Sequence, residues 1–186
     1  MLHDGFTVLW TLFMAVWMLA AFWSRRTVRR ESLKRRMAYG AVLGLGFILL
    51  FKPWSLGPLN VRFLPDTLTT ALTGLVIAAA GVGFAFWARF TLGRNWSSAV
   101  TVKEDHRLIQ RGPYRAVRHP IYSGFLLAAL GTAIGYGKLP CMIGVAIVFL
   151  GFRIKWRMEE RFMEEQFGAE YLEYRREVRA IVPGLL

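Results

Sequence analysis

The sequence predicts an all-α integral membrane protein, with about five transmembrane helices and a cytosolic C-terminal helical segment. Three observations carry this. Apolar residues make up 55% of the 186 residues, and they gather in blocks of roughly 20, the length that crosses a bilayer core. Charged residues are concentrated in the gaps between the blocks. The basic ones, which give a net charge of +12, stand directly beside the apolar blocks.

Basic residues in that position set membrane orientation and meet anionic headgroups, so the charge does not point to nucleic acid. Cys141 is the single cysteine, which excludes an intrachain disulfide and a thiolate-rich metal site; no metal is expected.

The first span covers about residues 6–23 and runs into WSRRTVRR. It has no small-residue cleavage site and reads as a retained span rather than a signal peptide. The next loop holds seven basic residues (Arg25, Arg26, Arg29, Arg30, Lys34, Arg35, Arg36) against Glu31. The positive-inside rule makes it cytoplasmic and puts the N-terminus outside. Span two covers about 37–54, and Pro53, Gly57, Pro58 and Pro65 mark an irregular external loop. Span three covers about 66–90. Spans four (about 120–136) and five (about 139–156) form a tight hairpin around GYGKLP. Segments 91–118 and 157–179 then share the cytoplasmic face. The chain divides into an N-terminal region of three spans, 1–90, and a C-terminal region, 91–186, that carries the polar motifs. Gly40/Gly44 and Gly131/Gly135 have the spacing that lets membrane helices approach closely. Gly81-Val82-Gly83 lacks the surroundings of a dinucleotide fingerprint and reads as packing.

Two clusters could carry chemistry. The first, HRLIQRGPYRAVRHPIY (106–122), packs two histidines, two tyrosines and four arginines into seventeen residues. Gly112-Pro113 is a turn signal, and Pro120 suits the first turn of a helix that begins near His119. Unpaired backbone N–H groups there could receive a carboxylate. Headgroup contact and an interfacial aromatic belt explain the same residues without a ligand. The second cluster places Glu159 and Glu160 just past span five, with Lys155 one turn before Glu159. A carboxylate at a membrane boundary needs a partner; Lys155 or a cationic ligand group would serve. Phe167, Tyr171, Tyr174 and Val178 form an amphipathic stripe, with a break expected at Gly168.

GPYRAVRHPIYSG, followed after a hairpin by an acidic pair and FGAEYLEYRREV, resembles the isoprenylcysteine carboxyl methyltransferase family and the wider group with phospholipid N-methyltransferases. The resemblance runs from about residue 95 to 183. It implies S-adenosylmethionine as methyl donor, leaving S-adenosylhomocysteine as product. The donor would be held by His106, Arg107, Leu108, Ile109, Tyr114, His119, Pro120, Ile121, Tyr122 and Glu159. Where the family carries an arginine thought to meet the acceptor, this chain has Lys155, flanked by Arg153 and Arg157. These three are the candidates for orienting the acceptor. Arg118 is matched to no ligand.

The expected activity is methyl transfer to a lipophilic or amphiphilic small-molecule acceptor, with no obligate protein partner. A carboxylate acceptor needs no general base, whereas an amine or hydroxyl would call on His119 or Glu160. The rival readings are a membrane reductase of sterol-reductase type using a nicotinamide cofactor, and a non-catalytic membrane protein.

Overall fold

The structure is a computed structural model that describes residues 2–22, 27–93, 101–103 and 108–184. His106 and Arg107 lie outside the described residues. Among the described residues six α-helices follow in order: α1 (Leu2–Ala21), α2 (Leu33–Phe51), α3 (Leu68–Leu92), α4 (Pro120–Tyr136), α5 (Leu139–Phe167) and α6 (Ala169–Glu177). A short antiparallel pair, β1 (Thr27–Arg30) with β2 (Thr101–Lys103), joins the loops after α1 and α3. This pair departs from the purely helical expectation. Both loops leave the bundle at the same end, where extended backbone can satisfy its N–H and C=O groups by pairing.

Helices α3 and α5, with 25 and 29 residues, are long and apolar enough to cross a membrane. Helices α1 and α4 are apolar and shorter, while α2 begins with Lys34, Arg35 and Arg36. At 1.5 Å per residue α5 extends about 44 Å, so it outruns the expected span five. It continues unbroken through Glu159 and Glu160 and stops at Gly168, whose φ of 53° ends the helix where expected.

Small residues form the seams. A Cβ built on Gly81 would meet the Ala128 nitrogen at 2.4 Å, and one on Gly131 would meet the Ala78 nitrogen at 2.4 Å. Lipid solvates apolar side chains as well as a protein core does, so close backbone approach with its dispersion contacts must hold α3 against α4. A second antiparallel seam sets Gly46 of α2 against Gly144 and Val148 of α5, and Leu43 against Gly151. Gly131 and Gly135 therefore pack as their spacing predicts. Gly40 and Gly44 do not: neither has a neighbouring atom within 4 Å of a built Cβ. The working glycine of α2 is Gly46, two residues further on.

Polar groups pin α1. The Trp10 indole donates to the Thr132 hydroxyl at 3.0 Å inside the bundle. At the end bearing the β pair, buried Arg89 donates to the carbonyls of Ala20 (2.5 Å) and Gly93 (2.8 Å). Carbonyls in the last turns of helices lack intrahelical donors, and an arginine meets that need. At the opposite end Gly137, left-handed at φ 62°, closes the α4–α5 turn. Its carbonyl accepts from the Phe63 N–H at 2.9 Å.

The seams make a direct prediction. Gly131→Ala should destabilise the protein by at least about 2 kcal/mol through overpacking of the helix interface, whereas Gly44→Ala should stay within about 0.5 kcal/mol of wild type. Thermal melts of the two variants in one detergent compare them, and equal melting temperatures would refute the seam.

Candidate active site

The site grows from the start of α4, at the end of the bundle where α3 and α5 finish. Gly112, with φ of 59°, opens a 3₁₀ turn over Gly112–Arg115. Tyr114 is buried in it, and its carbonyl accepts from the Tyr174 hydroxyl of α6 at 2.6 Å. After α6 the chain turns back and runs beside residues 117–119. The Arg118 N–H donates to the Arg179 carbonyl (2.8 Å) and the His119 N–H to that of Ala180 (2.9 Å). The Ser123 hydroxyl donates to Ile181 at 2.6 Å. The C-terminal tail thus takes the N–H groups of Arg118 and His119, just before α4.

Helix α5 aims Val148, Phe152, Trp156 and Glu160 inward at intervals of four, all buried. A carboxylate ending an apolar stripe must be paired. Here Arg118 donates to Glu160 Oε1 through Nε (3.0 Å) and Nη2 (2.7 Å). Its Nη1 reaches the carbonyls of Arg175 (3.1 Å) and Val178. Arg118, which the sequence left unassigned, therefore ties α5, the end of α6 and the tail to the start of α4.

His119 stands between the two acids. Its Nε2 lies 3.2 Å from Glu160 Oε1, and its Nδ1 lies 3.6 Å from Glu159 Oε2. The ring stacks on Tyr122 (centroids 5.6 Å apart) and Trp156 (6.0 Å). Tyr122 stacks on Phe152 at 4.6 Å and donates its hydroxyl to Glu159 Oε1 at 2.5 Å. Glu159 differs from its neighbour in keeping 24% of its side chain exposed, against 8% for Glu160.

Charge states follow from this packing. Burial on its own would lower the His119 pKa, but hydrogen bonds to Glu159 and Glu160 and their charges raise it above 6.5. Burial opposes ionisation of Glu160, yet His119 and Arg118 hold it down at about 2. Glu159 is likewise lowered against the effect of burial, by His119 first and Lys155 next. Both carboxylates therefore stay ionised at neutral pH, and both favour the protonated form of the histidine between them.

Of the residues singled out from sequence, His119, Tyr122 and Glu159 meet directly, and Pro120 starts the helix that presents two of them. Tyr114, Ile121 and Tyr122 share one buried apolar cluster, against which half-buried Ile109 packs. Leu108 is half-buried. Lys155 reaches the site, its Nζ lying 5.4 Å from the Tyr122 ring centroid. Arg153 and Arg157 do not: both are exposed, two residues from Lys155 and therefore about 160° away around the helix. Sequence reasoning missed Arg118, Trp156, the tail, and Tyr39 of α2, whose ring lies 5.6 Å from Lys155 Nζ. The four-residue interval from Val148 to Glu160 was the available signal for the buried pair. Among the described residues no group of side chains could hold a metal ion.

The phospholipid methyltransferase family pattern matches residues 69–170, from α3 into α6. A protein of Oryza sativa subsp. indica named "Probable protein-S-isoprenylcysteine O-methyltransferase" is 32% identical over 169 residues, covering 88% of this chain and 85% of its own. Human protein-S-isoprenylcysteine O-methyltransferase is 34% identical over 116 residues, 61% of this chain and 41% of its own. A solved eukaryotic intramembrane Ras methyltransferase, isoprenylcysteine carboxyl methyltransferase, superposes with a TM-score of 0.55 at 24% identity, covering 85% of this chain and 55% of that one. At that identity the likeness establishes the fold. The chain is a membrane methyltransferase and belongs to the isoprenylcysteine carboxyl methyltransferase family.

Proposed function

We propose that this protein transfers a methyl group from S-adenosylmethionine to the carboxylate of a lipophilic acceptor, a prenylated cysteine at the end of a protein. The observation that carries the reading is Glu159, ionised, partly exposed and bonded to Tyr122 beside His119, with Lys155 one turn away. The names of the relatives point to an acceptor borne by a protein, where the sequence suggested a small lipid-like molecule.

The residues present fit the donor. Glu159 would take its ammonium group, and His119, whose protonated form the two acids favour, would face its carboxylate. Leu108, Ile109, Tyr114, Pro120, Ile121 and Tyr122 would wall the nucleoside, with His106 and Arg107 completing the set. When bound, S-adenosylmethionine supplies an electrophilic methyl on a sulfonium. The protein's contribution is alignment and exclusion of water. Glu160, locked to Arg118 with a pKa of about 2, is a poor general base near neutrality. An acceptor already anionic at pH 7, a carboxylate, suits such a site better than an amine or alcohol. Lys155 would orient it. The reading includes five spans, an external N-terminus and a site on the cytosolic face, so that donor arrives from water and acceptor from the bilayer. Region 91–186 would carry the donor site.

Calorimetry on detergent-purified protein should show binding of S-adenosylmethionine and S-adenosylhomocysteine and none of NADPH; binding of NADPH alone would overturn the reading. Glu159→Ala and His119→Ala should each weaken donor affinity at least tenfold, about 1.4 kcal/mol. With a prenylcysteine carboxylate and radiolabelled donor, Lys155→Ala should cut turnover about tenfold and leave donor affinity within about twofold. Loss of donor binding in that variant would remove Lys155 from the acceptor side.

The paired acid also sets a pH window. Glu160, depressed from 4.5 to about 2, stabilises the fold fully above 4.5 and loses that contribution as pH falls toward 2. His119, raised from 6.5, contributes fully below 6.5 and loses its share as pH climbs through its folded value. Apparent melting temperature should therefore plateau between these values and fall on both sides. Glu160→Gln should flatten the acid limb; an unchanged acid limb would exclude Glu160 as its source.

A further inference from the structure

We propose that Tyr39 of α2 is a positioning residue for the acceptor: with Tyr122 it holds the Lys155 ammonium where the acceptor carboxylate docks. The proposal rests on the reading of Lys155 given above and extends the acceptor subsite into the N-terminal helices, where sequence alone offered no candidate.

The juxtaposition follows from the α2–α5 seam. Leu43 lies against Gly151. One turn back along α2 is position 39, and one turn on along α5 is position 155, so the antiparallel seam brings the pair face to face. Tyr39 is 5% exposed, and its hydroxyl donates to Glu31 Oε1 at 2.5 Å. That bond ties the far end of the ring. Lys155 Nζ lies 5.6 Å from the Tyr39 centroid and 5.4 Å from that of Tyr122. Tyr122 is itself held by Glu159 and Phe152. Both distances are within the range of attraction between a cation and an aromatic face.

The consequence is specific to a lysine. A guanidinium carries a rigid planar fork that matches a carboxylate unaided, whereas an ammonium is a point charge on a flexible stem. A lysine at this position needs its direction set from outside. Aromatic faces can do so without presenting an acceptor oxygen that would compete with the incoming carboxylate. Glu159, one turn away, balances charge on the donor side, and the rings hold the acceptor side.

The test uses the full chain in detergent, with radiolabelled S-adenosylmethionine and N-acetyl-S-farnesylcysteine as acceptor probe. Tyr39→Leu should raise the acceptor KM at least tenfold and leave donor Kd within twofold. Tyr39→Phe, which keeps the ring, should restore most of the lost efficiency. In a Lys155→Ala background, Tyr39→Leu should have little further effect, since coupled residues are non-additive. If Tyr39→Leu does not fold, Tyr39→Met, whose unbranched chain can fill an irregular gap without a ring face, replaces it. A wild-type acceptor KM in the ringless variant, or equal loss of donor affinity, overturns the proposal. If Lys155→Ala raises the acceptor KM while the ringless Tyr39 variant does not, Tyr39 is excluded and the acceptor reading stands. If Lys155→Ala itself leaves acceptor kinetics unchanged, the acceptor reading fails first.

Discussion

Arg118 and Glu160 are buried together where α4 begins and α5 leaves the bundle, and the geometry of the site hangs on that pair. A carboxylate and a guanidinium taken from water repay their desolvation only when every remaining polar group is matched. The matching here is extensive. Two guanidinium nitrogens meet one carboxylate oxygen, and a third meets carbonyls at the end of α6 and in the tail. One cation thus joins the start of α4 to α5 and to the junction of α6 with the tail, 42 to 60 positions away in sequence. Removing either partner would leave an unpaired buried charge, a loss of about 3–5 kcal/mol in comparable cases. His119 follows Arg118 directly in the chain, so the pair that secures the fold also sets the imidazole against both acids.

Two seams of small residues determine what else can reach that imidazole. The α3–α4 seam brings backbones close enough that Gly81, Gly124 and Gly131 could not carry a side chain without displacing a neighbour. It places the start of α4, with His119 and Tyr122, at the end of the bundle. The α2–α5 seam does the same for Tyr39 and Lys155. Neither seam contains a chemical group, yet each sets a distance between groups that do. Their precision comes from the absence of side chains: backbone against backbone leaves little freedom for repacking.

Much of this was legible in the sequence where a local rule applied. Pro120 announced the helix start, Gly137 and Gly168 the helix ends, and the joint presence of GPYRAVRHPIYSG and FGAEYLEYRREV announced the family. The conjunction of His119, Tyr122 and Glu159 followed from the resemblance. The failures share a physical cause. Gly40 and Gly44 satisfy the spacing rule but sit on the wrong side of α2, because spacing says nothing about which face meets a partner. Arg153 and Arg157 looked equivalent to Lys155 in the sequence, yet two residues of helix carry them to the exposed side. Arg118 could be assigned only once its partner, forty-two positions away, was known to lie beside it. Tyr39 depended on the register of two helices that no local pattern encodes.

The adjacent glutamates show how a single residue step along a helix separates support from chemistry. Glu159 and Glu160 have the same side chain and share the same histidine. They differ by about 100° around α5, which directs Glu160 to Arg118 and the tail while Glu159 keeps a quarter of its surface open. Burial with a guanidinium leaves Glu160 no capacity to accept a proton near neutrality or to meet a ligand. Partial exposure leaves Glu159 ionised and reachable, held by a phenol donor and an imidazole rather than by a full ion pair with arginine. A site that must grip a charged donor and then release it needs a carboxylate of the second kind. It also needs the first kind beneath it, because the imidazole that steadies Glu159 is held in place from the Glu160 side.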